Sequence, residues 1–220
     1  MNSNSNLARK IMVIDDHALI LDGTLDLLNQ HYPEANIRTA GTAREGREEI
    51  QIFQPTLAII DLSLPETQGQ TATVEVGLNL LKTLMNNHPC LNLMVQSSYV
   101  KALVRLKYQI DAHQGGFTIA DKSLSEKEML TRLNWAMEGV THTKDLKNGV
   151  EVKPEWLEVL RLAFEEGLQD KAIAKQINVS ERMVRHYWTK LQDALGIYPE
   201  DDKNLRVLTL KRAREEGLID

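Results

Sequence analysis

The sequence has one cysteine, Cys90, among its 220 residues. A single cysteine excludes an internal disulfide and fits a reducing compartment. Placed after His88-Pro89, it reads as a small packing residue rather than a nucleophile. Long hydrophobic runs are also missing. The longest apolar stretches, such as Ile11 to Ile14 and Leu57 to Ile60, are strand-sized, far short of the ~20 residues needed to cross a bilayer. The opening Met1-Asn2-Ser3-Asn4-Ser5-Asn6 contains no apolar core. No signal peptide is therefore expected, and the protein is expected in the cytoplasm without a membrane partner. An excess of basic charge is absent as well: residues 144–220 hold 14 Lys+Arg against 15 Asp+Glu, and residues 1–143 hold 12 against 16. Neither part is a basic nucleic-acid module by bulk charge, so any such contact must come from a local basic face. No internal repeat is visible. What remains is ordinary globular composition, 42% hydrophobic and 26% charged, in a length that suits two small domains, each able to bury a core.

Strand and helix signals alternate through the first part. Ile11 to Ile14 is a continuous apolar run, as expected of a parallel strand buried on both faces. It ends at Asp15-Asp16, and a helical pattern follows over about 18–30. Ile37 to Ala40 reads as a second strand, and Thr42 can cap a helix running to Phe53. Leu57 to Ile60 is a third strand, ending at Asp61, with a helix near Leu78 to Asn87. Leu91 to Val95 is a fourth, ending at Ser97, with a helix over Val100 to Ile110. Phe117 to Ile119 is a fifth, followed by a helix over Ser125 to Met137. Five such units predict an α/β domain with a doubly wound, five-stranded parallel sheet.

Near residue 140 the pattern changes. Residues 140–153 lack clear periodicity and read as a linker. Beyond them every segment reads helical, which predicts an all-α unit of four helices. Trp156, Val159, Leu160 and Ala163 share one face of a helix stopped by Gly167. Asp170 starts a short helix with Ile173, Ala174 and Ile177. Ser180 caps a third, with Val184, Trp188, Leu191 and Leu195 on one face and Gly196 after it. Leu205 to Glu216 forms the last.

Three carboxylates, Asp15, Asp16 and Asp61, fall at the C-terminal ends of strands one and three, where open parallel sheets bind ligands. Crowded carboxylates repel one another unless a cation joins them, and an oxygen-only site suits Mg²⁺. Asp61 is then a candidate nucleophile that attacks a phosphoryl donor to give an acyl phosphate. Ser97 can donate its hydroxyl to the phosphoryl group, and Lys122 can supply positive charge. The plainer alternative is that Asp15-Asp16 caps the following helix.

These residues carry a resemblance. Val13-Ile14-Asp15-Asp16-His17, Ile60-Asp61-Leu62-Ser63-Leu64-Pro65, Ser97, and the Gly-Phe segment leading to Lys122 make residues 10–139 similar to the flavodoxin-like receiver domain of bacterial two-component response regulators. The resemblance implies that Asp61 is the phosphoacceptor, fed by a histidine kinase. It also implies that Asp15, Asp16, Asp61 and the backbone carbonyl of Ser63 hold Mg²⁺, and that Ser97 and Lys122 sense the phosphoryl group. Enzymatic activity would then go no further than autophosphorylation and slow autodephosphorylation of Asp61. Two departures stand out. About eight residues, 70–77, read as an insertion in a surface loop beside Asp61. Lys122 lies two residues beyond the family position counted from Phe117, which is Ala120.

Residues 154–220 resemble the helix-turn-helix of NarL/LuxR-type regulators through Glu158 to Leu162, Glu166 to Ala174, Val179 to Arg185 and Leu195-Gly196. Two helices joined by a short turn, the second capped by Ser180, also read independently as a compact reader whose recognition helix can enter the major groove of double-stranded DNA, and because that helix is short and only weakly basic it is expected to bind as a homodimer on two half-sites. Arg182, Arg185, His186, Thr189 and Lys190 fall largely off the buried stripe and are the candidate contacts, although a lone Arg185 also reads as an ordinary solvated side chain. Met183 replaces the family's usual Thr, Tyr187 its usual His, and Glu200-Asp201-Asp202 is acidic. The expected function is a phosphorylation-controlled transcriptional regulator, and residues 1–9 read as a disordered lead. Two other classes stay open. One is a signalling adaptor whose helical domain binds protein. The other is an aspartyl-phosphate phosphatase, for which a second Asp two residues after Asp61 is missing because Ser63 stands there.

Overall fold

A computed structural model of the protein describes residues 9–143, 152–199 and 202–219. The lead at 1–8, most of the linker and the acidic pair Glu200-Asp201 lie outside these residues. The described residues form two compact units: 9–100 with 108–143, and 101–107 with 152–219.

The first unit is built on strands β1 (Lys10–Ile14), β2 (Asn36–Ala40), β3 (Leu57–Ile60), β4 (Asn92–Ser97) and β5 (Phe117–Asp121). All pairings are parallel, in the order β2-β1-β3-β4-β5. Every residue of β3 is buried, the state that a continuous apolar run dictates for a strand covered on both faces. One face packs Ile11, Val13, Leu57 and Ile59 against Leu27 and Leu28 of α1 (Ala18–His31) and Met129, Leu133 and Ala136 of α5 (Glu126–Met137). On the other face Ile14 meets Gly46 of α2 (Ala43–Phe53), so closely that a Cβ on Gly46 would stand 2.5 Å from Ile14 Cδ1. Local signals set the helix starts. Thr42 accepts from the Glu45 amide at 3.2 Å, and Ser125 and Glu128 form a capping box.

Three expectations are corrected. The helix after β3, α3, runs over Val74–Asn87 and starts four residues before Leu78, because Thr73 caps it by accepting from the Val76 amide at 3.4 Å. Residues 70–77 are therefore not all loop. Only the stretch before Thr73 is, closed at its base by mutual hydrogen bonds between Leu64 and Thr73. The segment over Val100 to Ile110 is not one α-helix. It is a 3-10 helix, Val100–Leu106, whose buried Leu103 and Leu106 recur at its three-residue period, followed by α4 (Lys107–Ala112). Finally, β5 reaches Asp121 rather than Ile119.

In the second unit, α6 (Pro154–Phe164), α7 (Asp170–Gln176), α8 (Glu181–Leu195) and α9 (Leu205–Glu215) enclose a core of Trp156, Val159, Leu160, Ile173, Val184, Trp188, Leu191 and Leu195. Both tryptophans are core, as their helical spacing implied. Ser180 caps α8, and Gly196, at φ +66°, ends it in the left-handed conformation that glycine adopts without cost.

Candidate functional site

The sheet ladder places the acidic residues. The Asp15 amide continues the β1–β2 ladder to Ala40 O at 3.1 Å, and the Asp61 amide continues the β1–β3 ladder to Ile14 O at 2.9 Å. Both carboxylates are thus held at the same end of two central strands, and both are buried, at 5% and 3% exposure. One ligating atom each from Asp15, Asp16, His17 and Asp61 lie within 4.8 Å of one another. Asp15 does not cap α1. The N-cap is His17, and Asp15 Oδ1 instead accepts the His17 amide at 2.8 Å. The helix-capping alternative therefore fails for this pair.

Lys122 joins the cluster directly. Its Nζ lies 2.7 Å from Asp61 Oδ2 and 2.8 Å from Asp15 Oδ2. The register explains how a lysine two residues beyond the counted position arrives there. Ser97 pairs with Asp121, so the longer β5 delivers residue 122 to the sheet end. Ala120, the counted position, is buried within the strand. Burial pulls the Lys122 ammonium down most, but its hydrogen bonds to Asp15 and Asp61 and the charges of those carboxylates together outweigh burial and leave its pKa raised. Burial pushes the Asp15 carboxyl up. Lys122 and the His17 amide offset part of that rise, and the Asp61 charge adds to it. The buried carboxylates thus call for positive charge, and a lysine ammonium already answers two of them. The oxygen-rich donor set fits a divalent cation.

Ser97 is fully buried at the end of β4, and its Oγ accepts the Tyr99 amide at 3.2 Å. Because Ile60 pairs with Val95, Asp61 is level with Gln96 and Ser97 lies one residue further along. Ser63 joins through its backbone, donating its amide to Asp61 Oδ1 at 3.2 Å. Sequence reasoning gave His17 no role, although the imidazole stands 2.9 Å from Asp16 Oδ1. Its signal was its place as the third residue of an Asp-Asp-His run at a strand end.

On α8, at ~100° per residue, the side opposite the buried stripe carries Arg182, His186, Thr189 and Asp193, flanked by Arg185 and Lys190. Arg182, Arg185, His186 and Thr189 are exposed and Lys190 is half-buried. Two of these cations have carboxylate neighbours on the same helix: Arg185 lies 3.7 Å from Glu181, and Lys190 3.7 Å from Asp193. The helix is anchored from behind. Trp188 Nε1 donates to Asp170 Oδ1 at 3.1 Å, and Arg206 pairs with the same carboxylate at 2.7 Å while covering the Trp188 ring.

This fold and organisation, a five-stranded parallel α/β unit followed by a helical unit, resembles that of NarL/LuxR-type two-component response regulators, and relatives that match the chain over nearly its whole length are named as transcriptional regulators. The chain is 24% identical over 225 residues to the DNA-binding transcriptional activator DevR/DosR of Mycobacterium tuberculosis, covering 94% of this chain and 98% of that protein. It is 25% identical over 223 residues to the transcriptional regulatory protein YdfI of Bacillus subtilis, covering 96% and 97%. A structure of RcsB from Salmonella enterica serovar Typhimurium, bound to a promoter with a phosphomimetic, matches with a TM-score of 0.62 at 21% identity, covering 93% of this chain and 97% of that one. No family model matches the chain. Among the described residues no helix is long and apolar enough to cross a membrane.

Proposed function

We propose that the protein is a cytoplasmic, phosphorylation-controlled, DNA-binding transcriptional regulator that accepts a phosphoryl group on Asp61 from a histidine kinase. Residues 10–139 are the receiver, 140–153 the linker and 154–220 the DNA-binding domain. The observation that carries this reading is the buried Asp61 carboxylate, which accepts from Lys122 Nζ at 2.7 Å within a cluster of acidic side chains at the sheet end. In the transfer, an Asp61 carboxylate oxygen bonds to phosphorus while the bond from phosphorus to the kinase's histidine nitrogen breaks. The leaving imidazole keeps the electron pair of that bond. Asp15, Asp16, Asp61 and the Ser63 carbonyl would hold Mg²⁺, which when bound neutralises charge on the transferring group. The Ser63 amide and Lys122 orient the Asp61 carboxylate, and the Ser97 hydroxyl donates to the new phosphoryl oxygens. No activity beyond phosphorylation and slow dephosphorylation of Asp61 is proposed.

The DNA reader is α8, through Arg182, Arg185, His186, Thr189 and Lys190. Phosphate contacts position such a helix and base contacts give it sequence preference. With two of its cations beside carboxylates, one copy is a weak binder at physiological salt. A homodimer on two half-sites adds the missing affinity. The relative in M. tuberculosis is named as a DNA-binding activator, and a solved structure of the same fold holds RcsB dimers on DNA. The same carboxylate neighbours favour the second reading, an adaptor whose helical domain binds protein.

Incubation with a small phosphodonor and a divalent ion, followed by acyl-phosphate detection, tests the first step. Wild type is expected to label and Asp61→Asn is not. Equal labelling of both sinks the assignment. Selection of genomic fragments by the full chain tests the second step, and recovery of none favours the adaptor.

A further inference from the structure

The acidic cluster contains a donor that the phosphoacceptor reading does not use. His17 is the N-cap residue of α1, yet its side chain makes no cap hydrogen bond. Its amide is tied to Asp15 Oδ1 at 2.8 Å, which fixes the backbone at the sheet end. The exposed imidazole carries its Nδ1 toward the carboxylates, 2.9 Å from Asp16 Oδ1 and 3.6 Å from Asp15 Oδ1. With its ring proton on Nδ1, His17 donates to Asp16. With the proton on Nε2, Nδ1 offers a lone pair, and one imidazole nitrogen and one oxygen each of Asp15, Asp16 and Asp61 lie within 4.8 Å of one another.

Resting on the reading of this cluster as a divalent-cation site, we propose that His17 is an imidazole ligand that biases the site from Mg²⁺ toward first-row transition ions such as Mn²⁺ and Co²⁺. Mg²⁺ is hard, prefers oxygen donors and gives up its waters reluctantly. An imidazole gains little with it. Later divalent ions bind nitrogen donors progressively more tightly. Three carboxylates alone discriminate poorly between these ions, whereas three carboxylates and one nitrogen within mutual reach do not. The side chain is 59% exposed, so it reorients onto an ion without unpacking the core.

A structural alternative is that His17 only steadies Asp16, as outer-shell partners of metal ligands do. The two roles separate experimentally. Calorimetric titration of the full chain with Mg²⁺, Mn²⁺ and Co²⁺ would compare wild type with His17→Ala and His17→Gln. Electron spin-echo modulation of the Mn²⁺-loaded proteins reads a coordinated nitrogen directly. The expected result is a nitrogen modulation in wild type that both variants lose. Mn²⁺ and Co²⁺ affinity should fall about tenfold or more with Mg²⁺ affinity nearly unchanged, whereas loss of a mere outer-shell partner lowers all three together. An equal loss for all three ions, or a bound Mn²⁺ with no nitrogen modulation, overturns the proposal while leaving the cation site intact. If wild type binds none of the ions, or binds them equally well as Asp61→Asn and Asp16→Asn, the cation site itself fails and the inference with it.

Discussion

Gly77→Ala sets two physical effects against each other at the edge of the loop that follows Asp61. Gly77 is interior to α3, where alanine is the better helix former by ~1 kcal/mol. On local grounds the substitution should stabilise. The tertiary structure predicts the reverse. A Cβ at residue 77 would stand 2.0 Å from Leu62 O and 2.5 Å from Leu62 Cα. The obstacle is backbone, not the end of a flexible side chain, and it lies one residue after Asp61. Moving from 2.0 Å to the 3.4 Å where ordinary contact begins requires α3 or the Leu62 segment to shift in a close-packed interior. Overpacking costs ~1–3 kcal/mol, and a rigid obstacle places this case at the upper end. After the propensity gain, a net loss of ~2 kcal/mol is expected, or on the order of 6–10 °C in melting temperature for a unit of this size. Gly23→Ala in α1 is the control, because nothing lies within 4 Å of its added Cβ. It should be neutral or stabilising by up to ~1 kcal/mol. Scanning calorimetry of both variants reads the signs. A Gly77→Ala protein as stable as wild type would refute the close approach of α3 to Leu62, and with it the early start of that helix.

Asp15→Asn should raise the melting temperature of the metal-free protein at pH 7, measured in chelator. The folded state raises the Asp15 pKa above 3.8, so it binds that proton more tightly than the unfolded chain, and stability falls as pH rises above that value. The difference between variant and wild type should vanish near pH 3, where both states are protonated, and a variant that melts lower at pH 7 contradicts the assignment. Asp170→Ala strands the indole N–H of a Trp188 that is 4% exposed, which costs ~1–3 kcal/mol. Asp170→Asn keeps an acceptor and loses only the pair with a 42% exposed Arg206, worth ~1 kcal/mol or less, so urea titrations should rank alanine below asparagine; the opposite order would show that the charge, not the indole acceptor, matters. Arg185→Ala should cost ~1–3 kcal/mol of DNA affinity at a preferred site if it reads a base, or flatten the salt slope by about one if it touches phosphate. Asp193→Asn should tighten binding by removing a carboxylate from the outward face beside Lys190, and undiminished binding by an Arg185→Ala/Lys190→Ala protein would remove α8 as the reader.

The local code of the chain was sufficient for its elements and their class. Apolar runs of strand length such as Ile11 to Ile14 and Leu57 to Ile60, each ending in an aspartate and alternating with helical segments, leave few solutions other than a buried parallel sheet. The spacing of Val184, Trp188, Leu191 and Leu195 names the buried side of α8 before any packing is known, because helical periodicity is intrinsic to the backbone. Three-dimensional packing decided the rest. Thr73 begins α3 although a resemblance in spacing suggested a loop up to Gly77; capping by a hydroxyl and a close approach to Leu62 are not visible as periodicity. Lys122 reaches Asp15 and Asp61 because β5 pairs with β4 as far as Asp121, and a strand's length is set by its neighbour's ladder as much as by its own residues. His17 joins the cluster because the backbone turn after β1 aims its ring at Asp16, a direction that no linear motif encodes. Sequence alone determined the chemistry available at the sheet end, since residue types and their places after apolar runs are local properties. Which of those groups meet, and what charge each must share, only the tertiary structure decided, because distances between residues 15, 61 and 122 arise from strand register across the sheet.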